Sequence, residues 1–563
     1  MTRVPKAGVR AGRNFRKPMN FSFTHHFSAM SRAWEFYVVD RPFCGRTDLE
    51  AAEARANGRR PKIFYIFQAG QAAKNAVICQ LSISCMSHTA GGTRPDFPGQ
   101  TPSIRFAQNS KMNQTSVSRT AVWYALFVLF AINTMNFFDR QILGAVGEPI
   151  RKEFELSDAS LGLLGTAFTL LYAFVGVPLG VLADKIGRKG ILSAGVFVWS
   201  LLTAASGVAQ SYWQIFLLRL GVGVGEASCA PAATSLIGDL VPPSWRAKAM
   251  AIFMLGLPVG VALSFAVSGT IAKEYGWRMA FLVAGIPGIL CAIAVLFIYE
   301  PKRGAAETHD IGGQRREGSR YLNVLRSPTM IWIIISGAVH NFNMYAIGSF
   351  LTPFLMRYHG LDIQQANFVS MLVFGLMGAP GLLIGGLIGD WAMKRRKDGR
   401  MLLSAVAISL SVPAVYFALG VSKGGTTLFL VLMGMACALM YFYYSTVYST
   451  IQDVTEPASR GTAMAVYFFA MYVLGASLGP YGTGLLSDFF TRRAASLAGV
   501  TETAQAALEP FRAEGLHTAM YAIPILGVIL TFVLFAGSRT VTKEIDRMQA
   551  WMRESSKGES GSR

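Results

Sequence analysis

The nineteen residues Ser235–Phe253, SLIGDLVPPSWRAKAMAIF, recur without a gap as Ser449–Tyr467, STIQDVTEPASRGTAMAVY. Eight positions are identical, among them Asp239 with Asp453, Arg246 with Arg460, and an Ala-Met-Ala run. Each copy follows one long apolar run and leads into another, so the duplicated unit is a helix, a short Asp/Pro/Arg turn and a second helix. A membrane chain built as two parallel halves moves something between them.

Working outward, 52% apolar residues with 15% charged ones is far from a soluble composition. A membrane crossing takes about 20 mostly apolar residues to cover roughly 30 Å of hydrocarbon. Twelve such runs begin near Ala121, Leu161, Ile191, Trp213, Ala247, Met279, Met330, Phe368, Leu402, Thr427, Ala463 and Met520. A polar stretch divides them six and six. The expected fold is therefore an all-α membrane protein of twelve transmembrane helices in two pseudo-symmetric six-helix bundles. The expected parts are an extension 1–111, a first bundle 112–299, a linker 300–327, a second bundle 328–540 and a tail 541–563. Lys and Arg concentrate in the linker, in the loops after even-numbered runs and in the tail, which predicts that both termini are cytoplasmic.

The net charge of +20 does not call for a nucleic-acid partner, because residues 1–111 hold 17 basic and 6 acidic residues and the rest is loop bias. That extension lacks sustained periodicity and is expected to be mostly disordered. Met112 opens MNQTSVSRTAVWYALF, an ordinary short tail before a first span, and is the expected true start. Cys229, Cys291 and Cys437 lie inside apolar runs, and the six cysteines have no metal-ligand spacing. No metal or cofactor is expected.

Gly180-Val-Leu-Ala-Asp184-Lys-Ile-Gly-Arg188-Lys189 lies between runs two and three. There Gly180 removes a side chain where helices meet, Asp184 suits exposed N–H groups at a helix start, and Arg188 is expected to pair with Asp184. Gly386-Leu-Ile-Gly-Asp390, followed by Lys394, Arg395, Arg396 and Arg400, repeats the pattern between runs eight and nine. An anchor of positive charge explains one such loop; two copies with the same Gly and Asp spacing point to gating loops.

Four ionisable residues inside the runs carry a cost of about 2.5–3.5 kcal/mol each near a helix centre and so need a role. They are Asp139, Arg140, Arg219 and Glu226. Counted at about 1.5 Å per residue, Asp139 falls near the outer end of run one unless that helix continues toward Val146. Glu226 follows Arg219 by two turns, on the same face but about 10 Å deeper, beyond a direct pair. The expected arrangement is a ladder: an outer cluster of Asp139, Arg140 and Arg219, then a deeper carboxylate. Tyr441, Tyr444 and Tyr448 share one face of run ten, and His340 with Asn343 one face of run seven. Such stripes are commonly packing; lining a cavity, they would suit an amphiphile with an apolar body.

These residues carry a family likeness. Over roughly residues 115–540 the chain resembles the major facilitator superfamily, through the Gly180 to Lys189 loop, Gly276-Trp277-Arg278, and Gly479-Pro480 with Leu486-Ser487-Asp488. Within it the chain is similar to Spinster-type transporters, through Asn136-Phe-Phe-Asp139-Arg140-Gln141 and Arg219-Leu-Gly-Val-Gly-Val-Gly225-Glu226. Span five has Gly256-Leu-Pro258-Val-Gly260 in place of the superfamily's antiporter Gly-Pro dipeptide. The resemblance implies a secondary transporter working by alternating access. In it Asp139 accepts a proton, Arg140 and Arg219 hold its charge or a substrate anion, and Asn136 lines the cavity. With no nucleotide-binding Lys motif, energy is expected from gradients. Expected partners are a small amphiphilic or anionic substrate, protons and the lipid bilayer, with the chain a monomer in a bacterial inner membrane. An uncoupled facilitator and a membrane sensor using the basic extension are the competing readings.

Overall fold

Ser118, Ser157, Ser211 and Ser327 each stand just before an apolar run, and each accepts a hydrogen bond from a backbone N–H of the helix it opens. In the computed structural model, residues 118–301, 324–456, 459–502 and 504–560 are described. At 177, 180, 181, 183–186, 243, 244, 247 and 551–560 the backbone alone is described. Residues 1–111, most of the linker 300–327, and the side chain of Asp184 lie outside the described residues.

Among the described residues, twelve helices are long and apolar enough to cross a membrane. Spans one to six are Arg119–Glu153, Asp158–Gly176, Arg188–Ser206, Tyr212–Leu240, Lys248–Tyr275 and Trp277–Val295. Spans seven to twelve are Pro328–Arg357, Ile363–Arg395, Gly399–Leu419, Thr426–Val454, Arg460–Leu497 and Gln505–Ala550. Every run read from the sequence begins in or beside one of them. The second helix continues to Ile186, and the last runs unbroken from Ala522 to Ser560, so the tail begins as an extension of span twelve. Two spans join through one residue, Gly276, whose φ of +82° is available to glycine without steric cost.

Prolines set the irregularities. Pro231 has no N–H for the carbonyl of Ala227, and span four breaks there into Tyr212–Glu226 and Cys229–Leu240. Pro380 and Pro480 likewise leave the carbonyls of Leu376 and Ala476 without their usual donors. The turns just before, Met371–Leu376 and Met471–Ala476, widen to π-helix.

Spans one to six and seven to twelve form two bundles. They meet where span one packs on seven, two on eleven and five on eight. Small residues permit this approach: a methyl group on Gly144 would lie 2.2 Å from the carbonyl oxygen of Gly348, and one on Gly162 2.3 Å from that of Pro480. The end of the molecule where spans one and seven begin is the terminal face; the opposite end is the far face. Outward sides of the helices expose Leu387, Phe297 and Phe532, as a hydrocarbon environment favours.

Candidate functional site

Span one is 35 residues long and runs to Glu153, so Asn136 is its central residue and Asp139 lies one turn beyond. The helix thus continues past Val146, the condition under which Asp139 lies away from its outer end. Asn136, Asp139, Arg219 and Glu226 are buried, and the Arg140 side chain is 6% exposed. The four ionisable groups meet at mid-depth in the first bundle, but not with the partners expected.

Arg140 pairs with Glu226, Nε to Oε2 at 3.1 Å, and Asn136 Nδ2 donates to the same oxygen at 2.9 Å. The supposed outer and deeper levels are thus one cluster, because Arg140 reaches along its own helix toward the break after Glu226. Arg219 Nη2 donates to the backbone carbonyl of Asp139 at 2.9 Å rather than to its carboxylate. Thr203 Oγ1 of span three donates to Asp139 Oδ2 at 3.3 Å. Arg219 keeps Nε and Nη1, and Glu226 keeps Oε1, buried without a protein partner.

Aromatic rings surround Arg140, with Tyr472 from the second bundle among them. Tyr172 of span two lies under the Arg140 guanidinium at 4.1 Å from ring centroid to Cζ, with Phe137, Phe168 and Tyr472 farther round it. Tyr472, in the π-helical turn of span eleven, accepts from Arg140 Nη1 at 3.3 Å and packs edge-on against Tyr172 at 5.2 Å. Phe174 and Phe469 pair one step toward the terminal face. Sequence reading missed Tyr172, an aromatic among apolar neighbours with nothing to mark it.

Among the described residues, the second-bundle candidates bond or stack on groups of their own bundle. Tyr441, Tyr444 and Tyr448 form a continuous string of ring contacts, with Tyr444 Oη donating to Asn341. His340 is buried, stacked on Tyr443 at 4.0 Å, edge-on to Tyr444. Asn343 faces inward, donating to the carbonyl of Ile523 and lining a cavity of about 10 Å³ among spans seven, nine, ten and twelve. The structure therefore puts Asn343 inside the second bundle, not beside Arg140.

In the terminal-face loops, Arg188 donates to Asp239, to Glu300 and to the carbonyl of Pro301. The expected partner Asp184 lies outside the described side chains. Arg400 forms the matching clamp, with Asp453 and with Asp390, the latter at 2.6 Å. Asp239 and Asp453 are the paired aspartates of the repeat, so each loop arginine ties to the duplicated turn. Gly386 is not the tight contact of its loop; Gly385 is, with the Cα of Phe442 only 2.8 Å from where a Cβ would stand.

The far face holds a network that sequence reading did not assign. Arg357, ending span seven, donates to Glu148 of span one and, at 2.8 Å through both Nη1 and Nη2, to Asp158 at the start of span two. Arg151 pairs with Glu148 at 2.9 Å, and Ser487 donates to Asp158 at 2.6 Å. The carboxylate of Asp488 accepts from the backbone N–H groups of Asp158 and Ala159, so span eleven caps span two across the bundle interface. The signals were present: Glu148 and Arg151 share a helix face at i, i+3, and Asp488 stood in a quoted motif without a role.

Two six-span bundles around a buried charge cluster, sealed to each other on one face, define a polytopic membrane carrier. The profile of the Major Facilitator Superfamily matches residues 129–480, and the chain belongs to that superfamily. An MFS-type efflux pump of Mycolicibacterium smegmatis is 29% identical over 372 residues, 66% of this chain and 85% of the relative. The sphingosine-1-phosphate transporter SPNS2 of Danio rerio is 28% identical over 376 residues, 63% of this chain and 74% of the relative. A crystal structure of a bacterial homologue of the human lysosomal transporter Spinster, inward-facing and unoccupied, superposes with a TM-score of 0.69 at 28% identity. It covers 76% of this chain and 99% of that one. The protein is a membrane transporter of Spinster type and not an enzyme.

Proposed function

We propose that this chain carries an amphiphilic or anionic organic substrate by alternating access, coupled to protons through Asp139. The observation that carries the reading is the arrangement at Arg219 and Glu226. Arg219 directs one nitrogen to the backbone of Asp139 and keeps two donors buried without a protein partner, and Glu226 keeps one oxygen in the same condition. A buried guanidinium with unused donors is the group an incoming carboxylate or phosphate would satisfy. The Asp139 carboxylate accepts from Thr203 while Arg219 holds the Asp139 backbone carbonyl, so the carboxylate can gain or lose a proton without breaking the Arg219 contact. Tyr472 supplies the link to the second bundle: an anion drawing Arg140 away from Glu226 also withdraws its bond to span eleven. The relatives' names include a lipid phosphate and, for a probable L-galactonate transporter of Escherichia coli, a sugar acid; both are organic anions.

Positive loop charge supports both termini being cytoplasmic, so that the far face looks outward, and the likeness to bacterial relatives supports a bacterial inner membrane. The working unit in this reading is one chain. Uptake into proteoliposomes, with and without an imposed pH gradient, tests the coupling. Parent protein is expected to respond to the gradient and Asp139→Asn to transport independently of it. An unchanged gradient response in Asp139→Asn rules out Asp139 as the coupling site, and a parent with no response is an uncoupled facilitator.

A further inference from the structure

We propose that the connection between spans eleven and twelve is a latch on the far face, with Glu509 as its releasable bolt; this rests on the alternating-access reading. The segment belongs to the second bundle, yet Glu509 and Arg512 both reach the first. Glu509 Oε1 accepts from Arg151 Nη2 of span one at 2.6 Å. Three residues on, Arg512 Nη2 donates to the carbonyl of Leu156 at 3.4 Å, and its Nη1 lies 3.6 Å from the carboxylate of Asp158. Arg512 is in turn braced by Asp488 and by Glu509 itself, at 3.4 and 3.2 Å. The two short turns Gln505–Leu508 and Glu509–Phe511 hold these groups over the seam between bundles.

Exposure separates the bolt from the rest. The side chains of Arg151, Asp158 and Arg512 are at most 2% exposed, whereas that of Glu509 is 43% exposed. Water and ions on the far face therefore reach the Glu509 end of the Arg151 pair and screen it, while the inner pairs stay shielded. Arg151 keeps Glu148 when Glu509 lets go, so release leaves no bare buried charge. The latch can open first, at low cost, and the sealed pairs of Arg357 follow.

Glu509 is exposed enough to change without harming the fold, which makes it the test residue. A cysteine-free background carrying Thr166→Cys, a buried position between spans two and eleven, reports opening by reaction with an impermeant maleimide added at the far face. Glu509→Gln is expected to raise the labelling rate about two- to five-fold and Glu509→Lys about five- to ten-fold, with Glu509→Asp close to parent. High salt is expected to speed labelling of the background protein but not of its Glu509→Gln variant. Equal rates in background and Glu509→Lys, with both monodisperse on gel filtration, overturn the proposal, as does an equal salt effect in background and Glu509→Gln. Labelling needs neither substrate nor a proton gradient, so failure here is distinct from failure of the coupling assay.

Discussion

At mid-depth Arg140 joins the two bundles: one edge of its guanidinium pairs with Glu226, one nitrogen bonds Tyr472, and Tyr172 covers its face. A buried pair is strongly destabilised when one member is removed, by about 3–5 kcal/mol, because the other charge is left without compensation. Glu226→Ala is therefore expected to lower the thermal unfolding temperature in detergent sharply, and Glu226→Gln less, since an amide oxygen still accepts from Arg140 and Asn136. Equal melting of Glu226→Ala and parent would mean that the pair does not hold the cluster. The residue types of this site were legible before any coordinates, because charge inside an apolar run demands a role. The pairing was not, because partner choice depends on side-chain reach across helices. Arg140 bends toward Glu226, and Arg219 takes a backbone oxygen in place of the Asp139 carboxylate.

At the scale of single helices, local chemistry explains most boundaries. Asp362 and Gln365 close a reciprocal capping box at the start of span eight, and Lys273 of the first bundle reaches the Asp362 carboxylate at 3.3 Å. The backbone N–H of Gln365, and then Lys273, hold the Asp362 carboxyl below the ordinary carboxylate range. A depressed carboxyl contributes stability above its unfolded value, about 3.9, and that contribution is lost as pH falls through the lower folded value. Asp362→Ala is expected to cost about 1 kcal/mol at neutral pH and to melt closer to parent in acid. Melting curves at neutral and acid pH check this, and a constant gap at both would deny the carboxylate's part. The π-helical turns before Pro380 and Pro480 follow from the same accounting of donors, though their use had to be seen: only one of them delivers a tyrosine to Arg140.

For the whole molecule, the far face is the closed side. Arg357 serves Glu148 and Asp158 together, one acid from each of two spans in the opposite bundle. Arg357→Gln leaves both carboxylates short of their shared cation, a change of about 3–5 kcal/mol for a buried group. The expected outcome is a shift of the population toward a far-open state. Distance measurements between spin labels in the 154–157 and 358–362 connections read it directly: the short-distance population should shrink, and an unaltered distribution would remove Arg357 from the lock.

The sequence by itself determined the twelve spans, their duplication and the identity of the central charged residues. Each of these is written in local pattern: about 20 apolar residues make a crossing, an uninterrupted repeat makes a second half, and a charge in hydrocarbon stands out. Only the tertiary structure decided which acid faces which arginine, that span one continues far enough to centre Asn136, and that Arg357, Asp488 and Glu509 bind the other bundle. The contacts of Arg219 with Asp139 and of Arg140 with Glu226 join residues 80 and 86 positions apart within one bundle. Those of Arg357, Asp488 and Glu509 with the other bundle join residues 199 to 358 apart, across a seam where glycines bring the two bundles close enough for polar groups to touch.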